Sequence, residues 1–198
     1  MVHLHLGLSS WIIWYNCSFS ESFIEHAKKM QEGADIKFSV PVEGDIHEEV
    51  EAVHESDITE ETRRKVNFFT GDACKLSDYA ENDTIGKFDG VVMSNLLCRL
   101  PDPVACLDGM PHIVNKGGIV VMVTPFSWLE QYTPRKNWMG GLYDPVTGDE
   151  IRSIDRLESL MVERGFEKIH DEEMPVVIRE HQRKYQYIIS QATAWRKK

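Results

Sequence analysis

The sequence of residues 88–123 is FDGVVMSNLLCRLPDPVACLDGMPHIVNKGGIVVMV, and this stretch decides the fold class. Residues 88–93 and 119–123 are apolar runs with the length and composition of buried strands. Between them, Pro101-Asp102-Pro103 opens a helix with Pro103 in its first turn, and Gly117-Gly118 ends that helix. Because the second strand is apolar along its whole length, both of its faces must be covered. A parallel sheet between layers of helices is therefore predicted.

The chain continues this alternation of strands and helices towards its N-terminus. Strands are predicted at residues 11–15 and 66–70, with a helix between them that Ser20 caps and Gly33 ends. The apolar face of that helix comprises Phe23, Ile24, Ala27 and Met30. The intervening residues 43–61 carry nine acidic side chains and no Lys or Arg, so a solvated excursion within residues 31–65 is expected.

The C-terminal part supplies a helix and two more strands. The helix is predicted at residues 153–164 and the strands at about 167–179 and 185–195. Their short polar connection suits an antiparallel pair and not a parallel crossover. The chain is thus expected to form one α/β domain over residues 1–198. Its predicted architecture is a Rossmann-like, doubly wound, mostly parallel sheet with a C-terminal antiparallel hairpin.

Composition limits the kinds of partner. The formal net charge is −10, which disfavours nucleic acid and favours a small-molecule substrate. No apolar run is long enough to span a bilayer, so no membrane association is expected, and a cytoplasmic protein is predicted. The four cysteines form no Cys-x-x-Cys pair, and His3 and His5 lack further ligands at metal-binding spacing, so no metal site is predicted.

Ligands of doubly wound sheets bind outside the carboxyl ends of the parallel strands. The segments that follow the predicted strands are therefore the ones expected to line a site. They are Ser18-Phe19, Gly71-Asp72-Ala73-Cys74, Ser94-Asn95-Leu96-Leu97 and an aromatic-rich loop over residues 124–148.

Several of these segments carry a resemblance to a known family. Gly71-Asp72-Ala73, Phe88-Asp89-Gly90-Val91-Val92, Leu100-Pro101-Asp102-Pro103 and Gly117-Gly118-Ile119 resemble class I S-adenosylmethionine-dependent methyltransferases. Thr124-Pro125-Phe126-Ser127-Trp128-Leu129, Asn137-Trp138 and the tail from Ile178-Arg179-Glu180 to Ala192-Thr193-Ala194-Trp195 are similar to the 4-mercaptohistidine N-methyltransferase module of ovothiol biosynthesis. The resemblance implies S-adenosylmethionine as cofactor. It also implies a homo-oligomer or an association with a sulfoxide synthase module.

The N-terminus departs from that family. The family's first strand ends in a turn of pattern Gly-x-x-x-Gly that approaches the methionine part of the cofactor, and only Gly7 precedes Trp11 here. The sheet is therefore expected to be N-terminally incomplete, with an atypical segment over residues 1–17. Residues 4–8 or 11–15 are the candidates to fill the place of the missing strand. In addition, Ser18 stands where the family has an acidic residue that binds the ribose hydroxyls.

The resemblance implies roles for particular residues. The cofactor-binding set is Ser18, Phe19, Asp72, Ala73, Cys74, Asn95 and Leu96. In this set, the Asp72 carboxylate accepts a hydrogen bond from the adenine amine while the N–H of Ala73 or Cys74 meets a ring nitrogen. The alternative is that Asp72 only caps a turn. Asn95 and Leu96 are placed beside the sulfonium.

The acceptor is expected beneath the aromatic loop. The substrate-binding set is Trp128, Arg135, Trp138 and Arg179, with aromatic faces against an imidazole and a guanidinium on a carboxylate. Tyr132, Tyr143 and His181 are the candidates to orient the acceptor in catalysis. Packing of a buried loop explains the aromatic residues equally well, and a surface position explains the charged ones.

Three functions remain open from the sequence. The first is methylation of a small imidazole such as 4-mercaptohistidine, the second is methylation of another small acceptor, and the third is a cofactor-deficient protein with an interaction or regulatory role. The missing glycine turn is the feature that leaves the third open.

Overall fold

The computed structural model describes residues 2–8, 11–53 and 58–198, and for residues 2–8 and 11–14 it describes the backbone only. The strands are β1 Val2–Leu8, β2 Trp11–Ser18, β3 Ile36–Glu43, β4 Ile46–Ala52, β5 Val66–Thr70, β6 Phe88–Ser94, β7 Val114–Thr124, β8 Leu142–Tyr143, β9 Glu150–Ile151, β10 Phe166–His181 and β11 Lys184–Lys197. The helices are α1 Glu21–Gln31, α2 Glu60–Arg63, α3 Leu76–Glu81, α4 Pro103–Ile113 and α5 Ser153–Glu163, with short 3₁₀ turns at Ala73–Lys75, Leu97–Arg99 and Arg135–Asn137.

Seven strands form the main sheet, in the order β10-β11-β7-β6-β1-β2-β5. The pairs β2–β5 and β6–β7 are parallel, and β1 is antiparallel to both β2 and β6. Since β11 is antiparallel to β7 and to β10, the strands β2, β5, β6, β7 and β10 share one direction. The prediction of a Rossmann-like, mostly parallel sheet with a C-terminal antiparallel hairpin is confirmed.

Strand β1 lies inside the sheet, between β6 and β2. Leu4 pairs with Tyr15 on β2 and with Val91 on β6, so β1 has hydrogen-bonded neighbours on both sides. It therefore fills the place that the sequence left open, as a hairpin partner of β2. Because β1 runs against its neighbours, the amino end of β1 lies at the edge where β2 and β6 end.

The hydrophobic core lies on one face of this sheet. Val91 and Met93 on β6 and Val120 and Met122 on β7 are buried, whereas the alternate residues such as Val121 are only half-buried. Helices α3, α4 and α5 pack against the buried face with Leu76, Cys106, Leu107, Met110, Ile113, Leu157, Leu160 and Met161. The half-buried alternate residues show that the opposite face is covered less completely.

Several elements differ from the sequence interpretation. Helix α4 ends at Ile113, so that Gly117-Gly118, predicted to end it, lie within β7. The acidic excursion contains a regular hairpin, β3–β4, in which Lys37 forms an ion pair with Glu49 at 3.4 Å. Helix α3 was also missed, because Leu76 is its only buried residue and gives no apolar periodicity. This helix lies very close to α4: a Cβ added to Gly109 would lie 2.5 Å from the Leu76 Cβ. Glycine at position 109 is what permits that approach.

Helix α1 presents a different face from the one predicted. Ser20 caps it as expected, accepting a hydrogen bond from the Phe23 N–H at 3.3 Å, and Gly33 follows its end with a φ of +87°. Of the predicted apolar face, however, only Ile24 is buried, and Phe23 is 65% exposed. The Phe23 ring lies instead beside the cavity described next.

Candidate functional site

A cavity of about 640 Å³ opens at the carboxyl ends of β2, β5 and β6. This volume is in the range of small-molecule and cofactor sites. Its lining is mainly apolar, with a few polar and charged groups: Cys17, Ser18, Phe19, Ser20, Phe23, Gly71, Asp72, Ala73, Leu96, Arg99, Leu100, Pro101, Gln131 and Tyr132. We call it the first cavity. It brings together five of the predicted cofactor-binding residues, Ser18, Phe19, Asp72, Ala73 and Leu96.

Asp72 both caps a turn and faces the first cavity. Its Oδ1 accepts a hydrogen bond from the Cys74 N–H at 2.9 Å, and its own N–H donates to the Tyr79 hydroxyl at 2.9 Å. The Cys74 amide is thus already engaged, whereas the Ala73 amide lies in the first turn of a 3₁₀ helix, where no carbonyl of the turn can accept it. Both residues line the first cavity, and the second carboxylate oxygen of Asp72 and the Ala73 N–H are the polar groups of this turn that the described contacts leave available.

The floor of the first cavity is closely packed. The Gly71 N–H donates to the Ser18 carbonyl at 3.0 Å, which joins the tips of β5 and β2. A Cβ at Gly71 would lie 2.6 Å from the Cys17 Sγ, so a side chain there would displace one of the two strand tips. Burial raises the pKa of the Cys17 thiol to about 11, and the floor is therefore uncharged at neutral pH.

A second cavity of about 540 Å³ borders the same edge of the sheet nearer the C-terminal hairpin. Its lining comprises Asn95, Cys98, Arg99, Pro125, Ser127, Ile178, Gln186, Tyr187, Ile188 and Ile189. Asn95 adopts a positive φ of 50°, held by a hydrogen bond from its N–H to the Val123 carbonyl at 2.7 Å. Its Oδ1 accepts from the Ser190 hydroxyl at 3.3 Å. Asn95 and Leu96 thus face different cavities.

Arg99 lines both cavities, and the sequence analysis did not name it as a candidate site residue. Its Nη1 donates to the Cys98 carbonyl at 3.0 Å and to the Ser127 carbonyl at 2.7 Å. The guanidinium also lies 5.0 Å from the centre of the Tyr132 ring, in cation–π geometry. The sequence could have indicated Arg99, because it is a positively charged residue five positions after the end of β6 and follows a segment that was already expected to line a site.

The two tryptophans of the aromatic loop lie outside both cavities. Trp128 is buried and donates its indole N–H to the Ser153 hydroxyl at 2.8 Å, while Trp138 donates to the Thr133 carbonyl at 2.8 Å. Their rings stack at 6.5 Å, and the Arg135 guanidinium lies 5.1 Å from the Trp138 ring centre. These contacts favour the packing interpretation over the predicted substrate-binding one for Trp128, Arg135 and Trp138.

The remaining predicted residues are dispersed. Of the three proposed to orient the acceptor, only Tyr132 lines the first cavity. Tyr143 borders a separate cavity of about 390 Å³ next to the start of α5. His181 lies at the end of β10, where its Nδ1 accepts from the Arg183 N–H at 3.3 Å, and Arg179 is exposed on the same strand. Cys74, the last of the cofactor-binding set, is half-buried, and its thiol donates to the Asp102 carbonyl at 3.3 Å.

The described residues contain neither a metal-binding cluster nor a helix long and apolar enough to cross a membrane. The side chains of His3 and His5, which the sequence analysis considered as a metal pair, lie outside the described part of the chain.

Comparison with known proteins gives the class. The sequence model of the methyltransferase domain family matches residues 15–171, and the chain belongs to this family. This match spans the two strand tips and the turn that form the first cavity.

Solved structures support the fold. A SAM-dependent methyltransferase from Methanosarcina mazei aligns over 92% of this chain and 81% of its own, with 16% identity and a TM-score of 0.53. A protein solved in work on the conversion of a disulfide bond into a thioacetal group during echinomycin biosynthesis aligns over 92% of this chain and 65% of its own, with 14% identity and a TM-score of 0.52. No curated protein sequence matches the chain.

Proposed function

We propose that this protein transfers a methyl group from S-adenosylmethionine to a small-molecule acceptor, with the donor's nucleoside in the first cavity and the acceptor in the second. The observation that carries the proposal is the first cavity, in which Asp72 and the Ala73 amide face a space at the carboxyl ends of three strands. Membership of the methyltransferase domain family and the fold shared with a SAM-dependent enzyme support it.

The nucleoside end of the donor fits the residues present. Adenine offers an exocyclic amine and a neighbouring ring nitrogen. The amine can donate a hydrogen bond to the second carboxylate oxygen of Asp72, and the ring nitrogen can accept one from the Ala73 N–H. Phe19 and Phe23, which are 79% and 65% exposed, offer apolar faces at the cavity mouth. The Ser18 hydroxyl accepts from the Ser20 N–H at 3.2 Å and lies near the expected ribose position, where it offers a weaker contact than a carboxylate.

Methyl transfer requires the protein mainly to position the donor and the acceptor. When bound, the sulfonium supplies a methyl group that is displaced in line by a nucleophile, with neutralisation of charge. The contribution of this chain is to hold donor and acceptor in adjoining cavities and to exclude water, an effect worth up to about 7–11 kcal/mol in well-oriented systems. Leu96, Arg99 and Tyr132 form the wall of the first cavity on the side of the acceptor.

For the acceptor we propose a small imidazole such as 4-mercaptohistidine. The support is the resemblance of the aromatic loop and of the tail from Ile178 to the module that methylates this compound. Ile178 and Gln186 of that tail line the second cavity. An imidazole with one deprotonated nitrogen is already nucleophilic, which agrees with a cavity in which the described lining residues include no carboxylate or histidine.

Calorimetric titration of the purified chain with S-adenosylmethionine tests the donor. Micromolar binding is expected, and an absence of heat at millimolar ligand would reject the proposal and leave an interaction or regulatory role. Asp72→Asn should weaken binding, whereas Asp149→Asn, the same change at an exposed residue outside the two cavities, should not.

A methyl-transfer assay with isotopically labelled donor tests the acceptor. The panel comprises 4-mercaptohistidine, histidine and small amines and thiols without an imidazole. Preferential labelling of 4-mercaptohistidine is expected. Labelling of a compound without an imidazole would retain the methyltransferase and overturn the proposed acceptor.

A further inference from the structure

The Arg99 guanidinium is a half-buried positive charge without an acidic partner in the described part of the chain. The sequence has an excess of acidic residues, 32 against 22 basic ones, yet none of the ion pairs among the described residues includes Arg99. Asp72 lines the same cavity but forms no ion pair with it. Withdrawing a charge from water without a counter-charge is unfavourable, so this position favours an anionic ligand.

The hydrogen bonds that Arg99 makes leave one side of its guanidinium for a ligand. Nη1 is held by the Cys98 and Ser127 carbonyls, and Nη2 reaches the Ser127 hydroxyl at 3.3 Å. Among the described residues, Nε donates to none. Nε and the second hydrogen of Nη2 point in the parallel arrangement that a carboxylate accepts in bidentate fashion. Stacking on Tyr132 and the two carbonyl contacts fix the plane of the group.

The antiparallel direction of β1 removes one of the usual anion-binding elements, and the helix N-terminus that lines the first cavity is that of α1, which follows β2 and is capped by Ser20. In doubly wound sheets an anionic part of the ligand is normally bound at a helix N-terminus that follows the first strand. Here β1 leads into β2 as an antiparallel hairpin, so no helix follows β1, and its carboxyl end lies at the opposite edge of the sheet. In the described residues, Arg99 is the only Lys or Arg in the lining of the first cavity.

We propose that Arg99 binds the carboxylate of the donor's amino-acid end and supplies the anion contact that a helix N-terminus supplies in sheets with a parallel first strand. This inference rests on the proposed function, because it concerns the same donor in the first cavity. If Arg99 makes this contact, the site prefers a nucleoside that carries an amino acid to one that does not, and Arg99 is the side chain responsible for that preference.

Titration with two related ligands tests the assignment without any turnover. S-Adenosylhomocysteine and 5′-methylthioadenosine share the nucleoside and a neutral thioether sulfur, but only the first carries the amino-acid carboxylate. Wild-type protein should bind S-adenosylhomocysteine about 10- to 100-fold more tightly, as expected for a charge-assisted bidentate contact. Arg99→Gln should reduce this ratio to near one while leaving the affinity for 5′-methylthioadenosine unchanged.

Two further variants serve as controls. Arg99→Lys keeps the positive charge but loses the two parallel N–H donors of the guanidinium, so an intermediate ratio of the two affinities is expected. Arg135→Gln removes the same charge from the aromatic loop outside both cavities and should leave the ratio as in the wild type. Raising the NaCl concentration should lower the wild-type ratio, because salt screens the ion pair, and should not affect Arg99→Gln.

The outcomes separate this inference from the function on which it rests. An unchanged ratio in Arg99→Gln overturns the assignment, as does an equal loss of affinity for both ligands, which would indicate that Arg99 only supports the Ser127 segment. Tight binding of both ligands by the wild type with no preference retains the nucleoside site and rejects the carboxylate contact. Failure of the wild type to bind either ligand rejects the proposed function itself.

Discussion

Replacing Asp72 by asparagine and by alanine separates the two contacts that this residue is proposed to make. Asparagine keeps an amide oxygen that can accept from the Cys74 N–H, a contact of 2.9 Å in the native chain. It replaces the cavity-facing oxygen by an NH₂ group, which opposes the exocyclic amine of adenine. Alanine removes both contacts. The pair therefore distinguishes a turn cap from a ligand contact.

The expected magnitudes follow from the type of each contact. Loss of a side-chain cap costs about 1 kcal/mol, which for a chain of this size lowers the melting temperature by about 2–4 °C. Loss of a hydrogen bond to a charged group costs about 1.5–3 kcal/mol, or about 10- to 150-fold in affinity. Asp72→Asn should thus melt within about 1 °C of the wild type, by the same scaling, and bind adenosine at least tenfold more weakly. Asp72→Ala should show both losses.

Differential scanning fluorimetry and calorimetric titration with adenosine measure the two quantities on the same samples. The interpretation of Asp72 as a ligand contact is refuted if Asp72→Asn binds adenosine as the wild type does. If Asp72→Asn is as unstable as Asp72→Ala, then the cap depends on the charge and the two contacts are not separable by this pair.

Three further predictions concern the framework. Gly140→Ala would place a Cβ 2.4 Å from the backbone N of Ser153 and should lower the free energy of unfolding, measured by urea titration, by about 1–3 kcal/mol. Gly86→Ala, where a Cβ would have no atom within 4 Å, should change that free energy by less than about 0.5 kcal/mol. Equal effects would contradict the packing of the aromatic loop on α5. The pKa of the Cys17 thiol is raised to about 11, so only about one Cys17 side chain in a thousand is a thiolate at pH 8. Thiol labelling followed by mass spectrometry should therefore be slow at Cys17 and should accelerate about tenfold per pH unit up to pH 10. Rapid labelling at pH 8 would show that the thiol is not buried. Amide hydrogen exchange should be strongly retarded over residues 2–5 of β1, because these residues pair with both β2 and β6, and exchange within seconds would exclude the position of β1 between them.

The strands and helices near the core were predictable because each carries its own pattern. The apolar runs at residues 88–93 and 119–123 have the length and the β-branched composition of buried strands, and both are strands in the structure. Likewise, Pro103 in the first turn and Gly33 after the last turn mark helix ends by their backbone preferences alone. The rule that ligands bind at the carboxyl edge then located the segments that line the first cavity.

The sequence analysis did not assign a direction to β1, although the same rule that paired the last two strands applies to it. Only two residues separate residues 4–8 from residues 11–15, and so short a connection permits an antiparallel pair but not a parallel crossover. What the sequence did not show is that β1 lies inside the sheet, between β2 and β6, so that the helix N-terminus at this side of the first cavity is that of α1 after β2 and not that of a helix after β1.

The sequence also did not determine which partners the side chains of the loops contact. The composition of residues 124–148 predicted aromatic contacts but gave no partner, and the structure packs Trp128 on Ser153 instead of on a ligand. Asn95 and Leu96 are adjacent in sequence, yet the positive φ of Asn95 sends them to different cavities.

The sequence by itself therefore determined the class of fold, the edge of the sheet at which the first cavity opens and the turn that Asp72 caps, because strand burial, helix ends and turn caps depend on a few neighbouring residues. Only the tertiary structure decided that β1 pairs with β6 as well as with β2, and that Arg99 lies between two cavities without an acidic partner among the described residues. Both depend on which distant segments meet, and the free energy that selects those contacts comes from packing across the whole sheet.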